Sequence, residues 1–490
     1  MLCQQSSRDT PGGRVWQKSF KLKREHDEMR GAKTHENTIP SVPKGKAVLK
    51  WLGPGFLWMV SAAGSGELLF TPRIGSLYGY SLIWALFAAV ILKFFINREI
   101  GRFAVCSGAS VIDGFAALKT PGNFILWIIL VPQLFVAVTA LAGLAGGAAT
   151  ALTLFLPGDI IIWMIISTLL ATALVLWGKY KGVEKASVIL ASCLAIASLI
   201  AAISVSPSVT DIAAGLNPKF PQGVKIAEVL PWLGFMMSGA AGLMWYSYWI
   251  PAKGYGMAKS KGTTRPKEKS SQELPDLHEL TASDKRKLKG WIKIMTWDTT
   301  TAVTGTVIIT IAFLILGTEL LRPEGLVPDE NKVAETLGKL LGQLWGPIGF
   351  WFMVIGVFIG FWDTVLSDQD GHSRLFANGI RHVLPSTVKG KWSDEKFLRR
   401  MLVIVLLTVM PIGLYLFIGN PVQLLKVAGA IEAAHIPIVT GLVLYLNKRS
   451  LPKELQPSTV VFLITMVAGL FFAVFAVLYI LQIAGVIDLK

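Results

Sequence analysis

A carboxylate interrupts a long apolar segment early in the chain. The run from 51 to 82 is long enough to cross a bilayer, and it contains Gly64, Ser65, Gly66 and Glu67 in succession. An ionised group at membrane depth costs at least ~2.5 kcal/mol and usually marks function. Neighbouring glycines let the backbone leave the helix. We therefore interpret Glu67 as a cation ligand or proton acceptor. The alternative is a structural carboxylate that pairs with Arg73 or caps the outer half-helix.

A second apolar segment, 230–251, has a similar interruption at Gly239 to Gly242. Two interrupted helices in corresponding positions of two halves predict a transporter binding site between them. The residues that follow the second interruption are candidate substrate ligands: Leu243, Met244, Trp245 and Tyr246. A thioether such as that of Met244 favours transition metals. Core packing, an aromatic gate, or a cation–π wall for an organic cation are the competing roles.

Two further candidates are Glu432 and His435, one turn apart in a predicted span over 421–445. Histidine is the commonest metal ligand and titrates near neutral pH. His435 is thus a predicted ligand and Glu432 a proton or gating candidate. The alternative for His435 is an ordinary buried hydrogen bond.

Three aspartates are further proton or gating candidates. Asp363 and Asp370 share one helix face with Ser367, and this face could line an inner vestibule or be salt-bridged through Arg374. Asp298 begins a predicted span and could belong to an inner gate or cap a helix.

The elements that position these residues are membrane helices. The 490 residues are 53% hydrophobic and 16% charged, which indicates a polytopic all-α membrane protein. The sequence predicts eleven spans: 52–78, 80–97, 123–155, 159–178, 185–205, 230–251, 294–317, 347–370, 401–418, 421–445 and 458–482. No catalytic motif is present, so we expect neither an enzyme nor a cofactor. The net charge of +16 concentrates in alternate loops, which indicates orientation rather than nucleic-acid binding.

That charge pattern places the N-terminus in the cytoplasm and the C-terminus outside, for a protein of the plasma membrane. Residues 1–50 are predicted to be a disordered basic tail that touches anionic lipid, and 51–485 a single transporter domain. Within it, 257–288 is a predicted cytoplasmic loop. Residues 331–344 form a predicted amphipathic helix that lies on the external surface or closes the vestibule.

The chain resembles the NRAMP family of divalent metal transporters over residues 50 to 480. The residues that carry the resemblance are Gly53-Pro54-Gly55-Phe56, Tyr78 to Trp84, Gly101-Arg102, Ser107-Gly108 and Asp298-Thr299. This resemblance implies a leucine-transporter-like fold, in which two inverted five-helix repeats are followed by an extra helix. It also implies that the first and sixth helices are unwound at the substrate.

The family's binding motifs are altered here. Its first-helix Asp-Pro-Gly-Asn aligns with Gly64 to Glu67, and its sixth-helix Met-Pro-His with Leu243 to Trp245. The glutamine of its tenth helix aligns with His435. Two interpretations follow: Glu67, Met244 and His435 form a reshaped metal site, or the site takes an amino acid or organic ion. A magnesium site would use oxygen ligands alone.

The sequence as a whole predicts a secondary active transporter that imports a divalent metal, manganese or iron, by alternating access, with protons as the candidate coupling ion. A different substrate on the same fold (magnesium, an amino acid or an organic ion) and a non-transporting sensor are the alternatives.

Overall fold

The computed structural model describes residues 39–55, 63–118, 120–178, 181–259, 274–384 and 390–487, and these contain helices and no strand. The α-helices are α1 (Thr71–Tyr78), α2 (Ile83–Ser107), α3 (Val111–Ala117), α4 (Phe124–Phe155), α5 (Ile160–Trp177), α6 (Lys181–Ser204), α7 (Val209–Ala214), α8 (Ile226–Phe235), α9 (Ala240–Lys253), α10 (Ala282–Leu316), α11 (Val333–Val383), α12 (Glu395–Ile404), α13 (Met410–Ile418), α14 (Pro421–Ser450) and α15 (Thr459–Ile483). Segments of π-helix at Ala63–Phe70, Gly317–Leu321 and Val405–Val409 join α1, α10 and α12–α13.

Nine helical stretches in the described part are long and apolar enough to cross a membrane. The two other predicted spans are the first, part of which lies outside the described residues, and α2. The second span is longer than the predicted 80–97, because Arg98 and Arg102, which we assigned to a cytoplasmic loop, continue α2. Glu99 pairs with Arg102 at 2.8 Å, which allows these charges to be buried in the helix. The all-α, multi-span fold class is confirmed.

The sixth span breaks earlier than the sequence predicts. Helix α8 ends at Phe235 and α9 begins at Ala240, so the break is Met236–Gly239 rather than Gly239–Gly242. Two residues of the break have positive φ, 57° at Met237 and 84° at Ser238. Gly242 lies inside α9, where an added Cβ would come within 1.6 Å of Ser238 Oγ. This glycine makes room for the break.

The sequence predicts that the first helix is interrupted at Gly64–Glu67. In the structure the backbone stays helical there: Ala63–Phe70 is a π-helix that continues into α1. Its wider turn uses different hydrogen bonds, and Thr71 Oγ1 donates to Gly66 O at 3.0 Å. An added Cβ on Gly66 would lie 2.8 Å from Phe235 O. The first helix therefore approaches the end of α8 closely.

Helix α4 packs at the centre of the bundle against α11 and α14. Its glycines allow this approach: an added Cβ would lie 2.6 Å from Leu425 at Gly143 and 2.2 Å from Tyr415 at Gly146. Small residues at helix contacts are the usual means of close packing in membranes. The core so formed surrounds the break in the sixth span.

The end of the predicted tail and the predicted amphipathic helix both pack against the bundle. In the predicted tail, Ile39 is buried, and Trp291 Nε1 donates to Pro40 O at 3.0 Å. Residues 1–38 of that tail, and 260–273 of the predicted cytoplasmic loop, lie outside the described residues. The predicted amphipathic helix forms the start of α11, before a kink at Trp345 and Gly346. Its apolar residues are buried in the protein: Val333, Leu337, Leu340 and Leu341.

Candidate functional site

A lysine is bound at the break in the sixth span. Lys93, in the middle of α2, is fully buried. Its ammonium donates to three backbone carbonyls at the end of α8 and in the break: Gly234 O at 2.7 Å, Met236 O at 2.6 Å and Ser238 O at 2.8 Å. Carbonyls freed by a helix break need donors or cations. Lys93 supplies three donors at once.

Glu67 reaches the same break from the first helix. It is 2% exposed, and its Oε1 accepts the backbone N–H of Met237 at 2.9 Å. Its Oε2 is buried without a hydrogen-bond partner among the described residues. Glu67 also lines a cavity of about 260 Å³ between α6, α10 and α11, and the other residues that line it are mostly apolar. The alternative pairing with Arg73 is wrong, because Arg73 binds Glu228 instead.

Glu432 of α14 binds the other side of the break. The Ala241 N–H, in the first turn of α9, points at both carboxylate oxygens, at 3.2 and 3.4 Å. An anion at a helix N-terminus is favourable. An added Cβ on Gly239 would lie 2.4 Å from Glu432 Cδ, so glycine is what lets this carboxylate approach. Glu432 is fixed by backbone geometry.

Gln133 of α4 joins Glu432 to His435. Its amide nitrogen lies 3.2 Å from Glu432 Oε2 and 2.9 Å from His435 Nδ1. The carboxylate requires a donor there, so the amide also donates to Nδ1 and His435 carries its proton on Nε2. His435 thus presents an N–H, rather than a lone pair, away from Gln133.

A small polar cavity of about 30 Å³ lies beside the break, where Asp368 and His372 of α11 face Glu432. A water-sized occupant needs about 10–15 Å³, so this cavity has room for two or three such occupants. His372 Nδ1 lies 3.1 Å from the Asp368 carbonyl oxygen and must donate to it. His372 Nε2 is then a lone pair, and it is buried without a partner among the described residues. That arrangement is typical of a metal-ligating histidine.

The residues predicted after the second interruption have separate positions. Trp245 lines the small cavity and contacts the His372 ring edge-to-face, with centroids 4.8 Å apart. The Tyr246 hydroxyl lies 2.9 Å from Thr299 Oγ1 on α10. Leu243 and Met244 are buried, but neither is among the described residues that line the two cavities. Gly64 and Ser65 lie in the π-helix with Glu67.

The predicted proton and gating residues are also dispersed. Asp298 accepts the N–H groups of Gly53 at 2.8 Å and Gly55 at 2.6 Å, so it holds the start of the first helix against α10. Asp370 binds Arg374 at 2.8 Å and Arg399 at 2.7 Å. Asp363 is half-buried on α11 and is not among the residues described around the small cavity.

Sequence reasoning missed Lys93, Gln133, Asp368 and His372. A lysine inside the apolar stretch 80–97 was itself a signal, since charged groups at membrane depth mark function. Asp368 and His372 stand at i and i+4 on α11, on a different face from Asp363 and Asp370. The sequence of α11 has polar side chains on both faces, so it does not indicate which face lies against the break.

The carboxylates and imidazoles do not converge on one point. Among the described residues, no group of three His, Cys, Asp or Glu side chains is arranged to hold a metal ion. The small cavity has two carboxylates and one imidazole in its walls, so closure around an ion requires these side chains to move inward.

A second charged cluster, which we call the outer cluster, is formed by Arg73, Glu228 and Lys426. Arg73 Nε lies 2.8 Å and Lys426 Nζ 2.6 Å from the Glu228 carboxylate, and Arg73 also lies 3.4 Å from Asp329. These residues join α1, α8 and α14. On the opposite side, Asp298 holds the first helix.

Comparisons with known proteins identify the family and the fold. The natural resistance-associated macrophage protein-like (Nramp) profile matches residues 55–482. An uncharacterized protein of Pasteurella multocida is 24% identical over 68% of this chain and 71% of its own length. The divalent metal cation transporter MntH of Clostridium acetobutylicum is 29% identical over 24% of this chain and 28% of its own. A manganese transporter variant of Eremococcus coleocola has the same fold, with TM-score 0.65, 16% identity and coverage of 91% of this chain and 90% of that one. The chain therefore belongs to the Nramp family of transporters and is not an enzyme.

Proposed function

We propose that this protein imports a divalent transition-metal ion, manganese or iron, through the break in the sixth span. The observation that carries the proposal is the small polar cavity lined by Asp368, His372 and Glu432. Carboxylate oxygens suit manganese, and imidazole suits iron and its neighbours. The lone pair on His372 Nε2 argues against magnesium, which binds through oxygens and keeps several waters.

The charges around the break also fit a divalent cation. Glu67, Asp368 and Glu432 are three buried carboxylates, and Lys93 is the one buried ammonium described close to the break. With all four ionised, the set has two negative charges. A divalent ion would neutralise it, and neutralisation matters most where water is scarce.

The proposed transport cycle is alternating access. Opening on one side would separate Arg73 and Lys426 from Glu228, and opening on the other would release the first helix from Asp298. Rocking of one helix bundle against the other around a fixed site is the usual motion for interrupted helices. We propose protons as the coupling ion, and a plasma-membrane protein with a cytoplasmic N-terminus and external C-terminus.

Two relatives support the metal: one is named a divalent metal cation transporter and one a manganese transporter. The test is uptake of radioactive manganese into proteoliposomes by the parent protein, Asp368→Asn and Glu395→Gln. Glu395 pairs with Arg381 far from the cavity, so Glu395→Gln is the matched control. Saturable uptake that is lost in Asp368→Asn alone is expected.

Three results would contradict the proposal. Equal uptake by Asp368→Asn and the parent would remove the small cavity from the path. No manganese or iron uptake by folded parent protein would exclude these substrates. Metal binding without flux would favour the sensor.

A second candidate is an organic cation in the larger cavity. Glu67 is the charged residue among its described lining, and Leu68, Leu194 and Phe313 are typical of the rest. An apolar body would occupy this space while an ammonium group meets the unpaired Glu67 Oε2. Glu67→Gln should then abolish uptake of the organic cation while Asp368→Asn leaves it unchanged.

A further inference from the structure

The Lys93 ammonium has the position that a free cation would have at a broken helix. Helix α8 ends at Phe235, so its last carbonyls form the negative end of a half-helix dipole. Half-helix C-terminal ends and unwound carbonyls are where transporters coordinate coupling cations. Here the carbonyl oxygens of Gly234, Met236 and Ser238 lie 2.7, 2.6 and 2.8 Å from a side-chain nitrogen instead.

The fit between the lysine and these oxygens is complete. An ammonium group has three hydrogens and no acceptor, and each hydrogen has one carbonyl. The stem of Lys93 comes from α2, which is a separate element from the broken span. The ring of Phe472, on α15, lies 5.3 Å from Nζ and adds a cation–π contact. The cage made by these three carbonyls, the carbonyl cage, therefore has no room for another cation.

We propose that Lys93 is a tethered cation that permanently fills the carbonyl cage and replaces a bound sodium or potassium ion. The cage adjoins the small polar cavity without being part of it: Ser238 takes part in both, but Gly234, Met236 and Lys93 are not among the described residues around that cavity. The lysine ties α2 to both ends of the break and keeps the break open beside Glu67 and Glu432. The carrier is consequently independent of alkali cations. This holds whichever solute is transported.

The test removes the Lys93 side chain and supplies small cations in solution. Lys93→Ala leaves the carbonyls without a donor and frees the space of the side chain. Lys93→Met removes the charge but keeps a side chain of similar length, so it leaves no space. The matched control is Lys426→Ala, since Lys426 binds the Glu228 carboxylate and no described backbone carbonyl. The readout is the Tm of purified protein in choline, sodium, potassium or methylammonium chloride at equal ionic strength.

The Tm of the parent and of Lys426→Ala should not differ between choline and the three small cations. Lys93→Met should have a lower Tm than the parent in all four salts. Lys93→Ala should also have a lower Tm in choline, and it should recover with a saturable dependence on at least one small cation. A site that binds a ligand only in the folded state raises Tm in this way.

Several results would overturn the proposal. One is a parent Tm that rises saturably with sodium or potassium, since the cage would then not be filled. Another is a Lys93→Met Tm equal to that of the parent. A third is a folded Lys93→Ala that does not respond to any small cation. If Lys93→Ala is unfolded in choline, folded protein must appear when it is prepared in potassium or methylammonium, and failure in both overturns the proposal. None of these readouts depends on metal uptake.

Discussion

Two clusters of charge hold the sixth span, and they use different partners. In the outer cluster, Arg73 and Lys426 both bind the Glu228 carboxylate. Lys426 is 25% exposed and Glu228 13%, whereas Arg73 is only 4% exposed and also donates to Pro328 O at 2.6 Å. At the break, Lys93, Glu67 and Glu432 are buried, and each binds backbone groups of the break; Glu432 also accepts a hydrogen bond from Gln133. The partly exposed contact between Lys426 and Glu228 can break and re-form cheaply. The contacts to backbone groups in the break cannot be exchanged so cheaply.

We infer from this difference that the two clusters have different functions in the transport cycle. The outer cluster can separate when the helices rock, because an opening at this end would admit water to replace the partners that Arg73 and Lys426 lose. The break must keep its shape, since each freed backbone group would be unsatisfied in a dry interior. The helix dipoles also stabilise the break, because a cation lies at the C-terminal end of α8 and an anion at the N-terminal end of α9.

The largest effect should follow from removal of a charge at the break. Glu432→Gln loses an anion that both faces the small cavity and binds the start of α9, so manganese affinity should fall at least about 100-fold. Titration of metal into purified protein measures this, with Glu395→Gln as the control for a carboxylate outside the site. An affinity within about 3-fold of the parent, a difference of only ~0.7 kcal/mol, would remove Glu432 from the ligands.

The outer cluster should respond in stability rather than affinity. Arg73→Met leaves Glu228 with Lys426 as its remaining described partner and removes the buried Arg73 guanidinium, which should destabilise the protein by about 3 kcal/mol. Thermal unfolding in detergent gives the change. Manganese affinity should stay near that of the parent. A large loss of affinity with unchanged Tm would show that the two clusters are not separable.

Gly239→Ala changes the packing at the break and leaves every charge in place. The new Cβ would lie 2.4 Å from Glu432 Cδ, so the carboxylate or the break must shift, at a cost of about 1–3 kcal/mol. Gly441→Ala is the matched control, because its Cβ would meet no described atom within 4 Å. Equal Tm values for the two variants would contradict the tight approach of Glu432 to the break.

The smallest effect should come from the exposed edge of the outer cluster. Lys426→Ala removes a partly exposed partner of a carboxylate that keeps Arg73, so the loss should be about 1 kcal/mol or less. It should shrink as salt rises, since exposed pairs are screened. Lys285→Ala, which removes a surface pair with Glu454, should have no measurable effect. A loss from Lys426→Ala that does not change with salt would indicate a buried pair instead.

The helices were predictable because length and apolarity define them locally. The span over 123–155 corresponds to α4 (Phe124–Phe155), and the span over 159–178 to α5 (Ile160–Trp177). Glu67 was also visible, since a charge is rare at membrane depth, and the second interruption was visible from two glycines close together in an apolar segment. These signals can be read from one segment at a time.

The partners at the site were not predictable, because they depend on which faces meet across long sequence separations. Gln133 contacts His435 across 302 residues, and Lys93 contacts Met236 across 143. The tautomer of His435 follows only from its contact with Gln133. The break covers Met236–Gly239 rather than Gly239–Gly242, and Gly242 lies inside α9, where it packs against Ser238. Composition of a segment does not distinguish these roles.

Anomalous diffraction from crystals soaked in manganese tests the central claim most directly, because it locates the ion without relying on uptake. We expect a single strong peak in the small cavity, within ligand distance of Asp368, Glu432 and His372 Nε2, and no peak in crystals of Asp368→Asn. A peak at Glu67 in the larger cavity, or beside Met244 and His435, would contradict the account and restore the metal site predicted from the sequence.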